Sequence, residues 1–369
     1  MKLSVLFILS DLETGGAQRV ILRLLTHLAG NEFECHMAVI RSQGPLRREI
    51  PRDVTVHDLD AKRVRYAPLK ILGLCWRLKP SVLVSTLGHL NIALLMLKPL
   101  LPRATRLVVR EANTPSVRLQ HTSAPLLYRL LYRKTYPLAD RVVCNSEYMR
   151  RDLVERFSLK TRKIQVISNP VNLERIKEES ENAGNPYEQK DGNLVAVGRL
   201  HYQKGFDLLL RAFEKAWHKD LRLRLTLVGD GLERQRLAKL AERLKVRDRV
   251  TFAGHRDNPF PYMHHADLFV SSSRWEGSPN TVLESLACGT PVLAFNCPGG
   301  TAEILREGEN GWLVQEGDWE RLGQKITEVI DAKQSLKTGL LPAQYRIERV
   351  TAMWEGLFAE LTKSGVRER

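Results

Sequence analysis

RWEGSPNTVLESLACGTPVLAFNCPGG, residues 274–300, reads as loop, helix and strand in succession. Ser278 is placed to cap a helix, and Pro279 suits its first turn. Gly289 offers a stop, and the apolar run Pro291–Phe295 follows as a strand. Two carboxylates, Glu276 and Glu284, sit eight positions apart. The first falls on the loop ahead of the helix and the second on its second turn. A helix amino end presents free N–H groups and a positive dipole end, which together suit phosphate. The block therefore predicts an anion site with one acid at its reacting side and another held beside it.

Outward from this block, short apolar strand patterns alternate with helical ones along the whole chain. In the first half they are LSVLFILS, HMAVIRS, Val54–Leu59, SVLVST, RLVVRE and RVVCNS, with a helix at Ala17–Leu28. In the second they are NLVAVGR, LRLTLVGD, VTFAGH, ADLFVSSS and TPVLAF. Such alternation predicts βαβ units and parallel, doubly wound sheets. With 369 residues, two domains are expected. The polar stretch Asn172–Asp191 reads as the connection between them. The expected domains are 1–171 and 172–345. A C-terminal helix over Arg346–Leu361 carries an apolar face of Val350, Met353, Trp354, Leu357, Phe358 and Leu361, and 346–369 could pack back on the first domain. In open sheets of this kind, ligands sit at the carboxyl ends of the strands.

Composition narrows the classes. The longest apolar runs, such as Ile92–Leu97, fall far below the ~20 residues of a membrane span. Leu3–Leu9 lacks a cleavage pattern and reads as a first strand. Five scattered cysteines have no metal or disulfide spacing, which favours a reducing cytoplasm. The net charge of +15 lies wholly in residues 1–170, which carry 28 Lys+Arg and 13 Asp+Glu. The remaining residues carry 29 of each. A solvated basic face would account for this, as would an anionic partner. Pro125–Tyr136 and Ile92–Arg106 mix Leu and Tyr with Arg and Lys. They read either as core helices with basic outer faces or as interfacial helices on anionic lipid.

Other segments place charge at strand ends. In GRLHYQKGF, Arg199 and Lys204 share one loop and suit a diphosphate, with solvated cations as the plain alternative. VGDGLERQRL is strand, turn and helix, with Glu233 as a first-turn acid. DLETGGAQRV places Gly15 and Gly16 where backbone must come close to something, or simply turn. His89 follows one strand, and Arg110, Glu111 and Asn113 follow another. An ordinary surface histidine and an Arg110–Glu111 ion pair are the competing readings there.

GGAQR, GRLHYQKGF, VGDGLERQRL, EGSPNTVLESLACGTPV and PGGTAEI together resemble glycosyltransferase family 4 over nearly the full chain. Those enzymes are retaining, nucleotide-sugar-dependent transferases of GT-B fold, an α/β architecture of two Rossmann-like domains facing across a cleft. The resemblance implies that Arg199 and Lys204 hold the donor diphosphate and that Glu284 binds the ribose. It implies that Glu276 lies by the donor sugar as the catalytic acid, either nucleophile or positioning group. Gly16 lies in the loop that closes on the donor. Asn280 and Thr281 at the helix end would stabilise charge on the leaving group. His89, Arg110 and Glu111 are acceptor-side candidates by position.

The implied donor is a UDP-linked hexose or N-acetylhexosamine, with no cofactor and no metal requirement. The acceptor is expected to be a polyprenyl-phosphate-linked saccharide or other glycan of the cell envelope. This predicts a cytoplasmic protein held peripherally on the anionic inner face of the cytoplasmic membrane. Two rivals remain at this level. One is a nucleotide-sugar epimerase of the same fold. The other is a non-catalytic polyanion-binding protein, although no nucleic-acid-binding signature is present and no nucleic acid is expected.

Overall fold

A computed structural model describes residues 2–13, 15–29, 32–61, 66–86, 88–189, 192–332 and 340–363. The chain forms two compact units, Met1–Pro170 with Gln344–Arg369, and Val171–Ala343.

The first unit holds seven parallel strands: β1 (Leu3–Leu9), β2 (Phe33–Val39), β3 (Thr55–Asp58), β4 (Val82–Ser85), β5 (Arg106–Arg110), β6 (Arg141–Cys144) and β7 (Ile164–Val166). Their spatial order is β3-β2-β1-β4-β5-β6-β7. The inner strands are apolar on both faces, as a sheet covered by helices on both sides requires. Side chains alternate between faces with period two. Leu6 and Ile8 enter one core with Leu83, Val109 and the helices between β3 and β7. Val5, Phe7 and Leu9 enter the other, with the helices Gly16–Leu28 and Ile347–Lys363.

The C-terminal helix belongs to this first unit because its aromatic stripe completes that second core. Phe358 and Trp354 pack on Phe7 at 6.3 and 6.4 Å between ring centroids. Burying each such ring is worth roughly 2–3 kcal/mol. Met353 was expected on this stripe but is exposed. It keeps the spacing from Val350 and Leu357, but at about 100° per residue it falls on the outer edge of the arc whose middle is held by Val350, Leu357 and Leu361.

The second unit holds six parallel strands: β8 (Asn193–Val197), β9 (Arg224–Val228), β10 (Val250–Gly254), β11 (Leu268–Ser271), β12 (Val292–Asn296) and β13 (Gly311–Gln315). Their order is β10-β9-β8-β11-β12-β13. The short strand β7 and the strand β13 carry no clear signal in the sequence. The Asn172–Asp191 stretch is not a plain connection. It contains the helix Leu173–Glu181, started by Asn172, whose side chain accepts from the Arg175 N–H at 2.9 Å. Only Ile176 and Ser180 of that helix are buried, so its composition reads as polar linker. Residues 190 and 191 lie outside the described residues.

The order of strands reverses between β1 and β4 in one unit, and between β8 and β11 in the other. At such a reversal the two flanking loops leave in opposite directions, opening a crevice at the carboxyl ends.

Candidate active site

In the second unit, the reversal joins three loops. The loop after β8 carries Arg199 and Lys204, the loop after β11 carries Glu276, and the loop after β12 carries Cys297–Gly300. Because β8 and β11 are sheet neighbours, residues 72 positions apart meet: Lys204 Nζ donates to Glu276 Oε1 at 2.7 Å. Ser273 Oγ donates to the same oxygen at 2.7 Å. Glu276 is buried, at 6% exposure.

Backbone and side-chain bonds lock the loops around this pair. Ser272 Oγ donates to the Lys204 carbonyl at 2.9 Å, and Gln203 Nε2 to the Trp275 carbonyl at 2.9 Å. The Arg274 guanidinium grips Asp207 through two bonds of 2.9 and 2.7 Å and lies 4.0 Å from the Tyr202 ring centroid. Burial pushes the Asp207 carboxyl up, but the bonds from Arg274 outweigh it and hold the group below its ordinary value. The Glu276 N–H donates to the Pro298 carbonyl at 2.9 Å, and the Gly300 N–H to Gly277 at 2.7 Å. At Gly299 (φ +138°), an added Cβ would stand 2.2 Å from the Glu276 carbonyl oxygen, so only glycine allows this approach.

The helix after Glu276 runs Asn280–Ala287, with Pro279 at its cap position and no side-chain cap. Ser278 therefore lies outside the capping position predicted for it. Its peptide is part of the loop tied to Pro298–Gly300, and the helix begins only once that loop ends. Asn280 and Thr281 form the first turn, and Glu284 is buried on the second. Arg199 is exposed and has no ion pair among the described residues. The structure thus brings Lys204, Glu276 and the Asn280 helix end to one sheet edge. Glu233 is the cap residue of the helix Arg234–Arg243 and accepts from Arg236 at 2.6 Å, a local structural role. Cys297 is buried and unpaired, and burial followed by the charge of Glu276 pushes its thiol up to about 12.

In the first unit, Gly16 opens the helix that follows β1. The acceptor-side candidates follow β4 and β5: His89 is in the helix Gly88–Met96, Arg110 ends β5 and Glu111 comes directly after it, but Arg110 and Glu111 do not pair with each other. Successive residues at the end of β5 leave on opposite faces of the sheet. Arg110 Nη2 donates to Asn169 Oδ1 at 2.7 Å, and its Nη1 has no partner among the described residues. Burial pushes its guanidinium down to about 10, against the pull of Glu111, so it stays charged at neutral pH.

Glu111 points the other way, into a buried network. Tyr136 Oη donates to its Oε1, with Tyr132 Oη at 3.2 Å and Asn91 Nδ2 at 3.3 Å from the same oxygen. Burial raises the Glu111 carboxyl, and the bond from Tyr136 only partly offsets this. Arg118, which the sequence reading did not single out, lies beside this network. A Cβ on Gly88 would be 2.3 Å from Arg118 Nη1 and 2.8 Å from Tyr132 Oη. His89 is on the rim. Partial desolvation, then the charge of Arg118, hold its imidazole below the ordinary value. Arg118 has no strong local motif. An arginine a few residues beyond a strand-end acid is the only signal it leaves.

The raised Glu111 carboxyl has a consequence for stability. The folded chain binds that proton more tightly than the unfolded chain, so its contribution is full below the ordinary carboxylate range. It is lost as pH rises through the folded value. Glu111→Gln keeps an acceptor oxygen for the tyrosines and removes the charge. Its thermal midpoint is expected to exceed that of the parent at pH 8, with the gap closing towards pH 4. Melts followed by circular dichroism across that range check this, and an unchanged pH slope would refute it.

Comparison with known proteins places these features. Residues 177–338 match the family model described as Glycosyl transferases group 1, and residues 14–175 match Glycosyltransferase Family 4. The N-acetylgalactosamine-N,N'-diacetylbacillosaminyl-diphospho-undecaprenol 4-alpha-N-acetylgalactosaminyltransferase of Campylobacter jejuni is 30% identical, over 87% of this chain and 88% of its own. The lipopolysaccharide core biosynthesis glycosyltransferase LpsE of Rhizobium meliloti is 32% identical, over 94% and 96%. Among solved structures, Anabaena Alr3699/HepE in complex with UDP superposes with a TM-score of 0.77 at 19% identity, covering 98% of this chain and 100% of that one. With two parallel-sheet α/β units and matches along both halves, the chain belongs to the family 4 glycosyltransferases and has the GT-B fold.

Proposed function

We propose that the chain transfers a hexose or N-acetylhexosamine from a UDP-sugar, with retention, to a lipid-linked saccharide in envelope polysaccharide or lipopolysaccharide assembly. It would act at the inner face of the cytoplasmic membrane. The observation that carries this is the Lys204–Glu276 pair at the β8/β11 reversal, beside the Asn280 helix end. The named relatives support the envelope role. One is a lipopolysaccharide core enzyme, and the name of another carries a diphospho-undecaprenol saccharide.

In this reading the second unit takes the donor. Arg199, Lys204 and the N–H groups near Asn280 and Thr281 neutralise the diphosphate, so that these groups supply the charge a metal would otherwise bring. Glu284 holds the ribose. The bond from the sugar C1 to the β-phosphate oxygen breaks, its electron pair leaving with UDP. The acceptor oxygen bonds C1 from the same face, and its proton passes to the departing phosphate. Fixed cations stabilise the charge that grows on the leaving group. Glu276 is tied by Lys204 and Ser273, which suits a fixed anion facing oxocarbenium character better than a mobile nucleophile. Of the acceptor-side candidates, His89 is exposed, whereas Arg110 and Glu111 are buried on opposite faces of the sheet and could act only by positioning other groups.

The test is a melt of the purified chain with UDP, ADP and GDP. A ligand at about 100 times its Kd adds about 2.7 kcal/mol to apparent stability. UDP alone is expected to give that rise, and Glu284→Ala to abolish it. Equal response to all three nucleotides, or none, would count against the donor assignment. Alteration of the UDP-sugar with no acceptor present would favour the epimerase instead.

A further inference from the structure

The helix Pro125–Thr135 has two unlike faces. Its inner face is committed to the fold: Tyr132 is buried and donates to Glu111, and Tyr128 and Leu131 pack on the core. Its outer face carries Leu126 and Leu130, 80% and 53% exposed, with Leu127 between them also exposed. Among the described residues no element of the first unit covers these leucines, and core packing does not require them. The apolar strip continues along the same side of the unit. Trp76, 55% exposed, donates from Nε1 to the carbonyl of the exposed Leu100 at 2.9 Å. Lys98 Nζ then links that turn to the Leu138 carbonyl at 2.7 Å, next to the Pro125 helix.

The segment that carries the strip is charged almost entirely with one sign. Residues 66–140 contain 11 Lys+Arg and 2 Asp+Glu. Neither acid is exposed: Glu111 is buried, and Asp140 pairs with Lys98 at 2.7 Å. Arg129, Arg133 and Lys134 flank the outer leucines and are all exposed. Of the two segments that the sequence marks as interfacial, the Pro125 helix keeps this character. In the other, Ile92, Leu94, Leu95 and Leu101 are buried, and of the large apolar side chains Met96 and Leu100 are exposed.

We propose that this face, the outer side of Pro125–Thr135 continued by Leu100 and Trp76, is where the enzyme seats on an anionic bilayer. The proposal deepens the functional reading above and rests on it for the choice of a membrane over a soluble partner. Leucines enter the acyl boundary while the flanking cations stay at the headgroups. A tryptophan whose N–H is already satisfied suits the interface, and lysines and arginines with no exposed acid among them match a negative leaflet. The same features disfavour the other occupants. A second copy would bring a surface of like charge against this one. A nucleic-acid backbone would meet the cations but leave the leucines in water.

Sedimentation of the full chain with vesicles tests this. Binding is expected to phosphatidylcholine mixed with phosphatidylglycerol, and not to phosphatidylcholine alone, and to weaken with salt. The triple variant L126Q/L127Q/L130Q is expected to partition at least ten-fold more weakly. R129E/R133E is expected to weaken binding to the mixed vesicles alone. The triple variant should keep the UDP-dependent rise in melting temperature, which shows that the fold is intact. Partition of the triple variant equal to that of the parent overturns the proposal, as does failure of the parent to bind mixed vesicles. So does an oligomer formed without vesicles that the triple variant abolishes. If the parent binds vesicles but gives no UDP response, the donor reading fails and the docking face stands.

Discussion

Lys204→Met is expected to abolish UDP-dependent stabilisation and to lower sugar transfer by about 10²–10³-fold, the usual cost of losing one preorganised charge at a leaving group. The Lys204 ammonium is the cation that the β8/β11 reversal delivers directly to Glu276 at 2.7 Å. Its removal also leaves a carboxylate whose side chain is only 8% exposed without its counter-charge. Breaking a fully buried pair costs about 3–5 kcal/mol. The Lys204 side chain keeps 21% of its surface, so a smaller loss of about 1–3 kcal/mol is expected. Adding Glu276→Gln to Lys204→Met should restore most of that stability and none of the activity. Urea titration and turnover of the two single variants and the double variant form the cycle that separates these effects. A double variant no more stable than K204M would show that the pair is not what sets the loop.

Gly205→Val is expected to be among the most damaging single changes in the chain, at about 4 kcal/mol or more. Gly205 has φ +61°, a left-handed conformation that costs other residues roughly 1–2 kcal/mol. Space adds to this, because an ideal Cβ would stand 2.0 Å from the Ser272 carbonyl oxygen, which belongs to backbone and cannot swing aside. The position joins Lys204 to the helix Phe206–Trp217. Relief of the clash therefore moves the loops after β8 and β11 apart, and Lys204 away from Glu276. Loss of the UDP response should accompany the loss of stability. Gly184→Val is the control, since nothing lies within 4 Å of a Cβ there. A G205V midpoint in urea close to that of G184V would refute this account of the loop.

The fold was legible where burial on both faces forces a continuous apolar run. The inner strands β1, β4, β5, β6, β8, β9, β11 and β12 all stand out in this way. The signal fails for β7, three residues long, and for β13, whose Gly311–Gln315 run begins with glycine and ends in an exposed glutamine. It fails too for the helix Leu173–Glu181, whose charged sequence hides one turn-starting asparagine and one buried isoleucine. The Ser278 cap was misplaced because cap propensity is local, whereas the start of that helix is decided by a loop held from Pro298 to Gly300.

The sequence alone determined the residue types of the site, the Glu276–Glu284 spacing that puts one acid on a loop and the next on a helix, and the confinement of excess charge to the first half. These are local or compositional properties, and they survive without knowledge of any contact. Only the tertiary structure decided that Lys204 meets Glu276. That contact depends on β8 and β11 being neighbours, which strand order settles and local pattern does not. It likewise separated Arg110 from Glu111 on opposite faces of one strand end, gathered Arg118 and two tyrosines beside the acid, and showed which leucines of a basic helix have no core to enter. Pairings between distant segments are set by how sheets and helices share buried surface, a property of the folded chain as a whole.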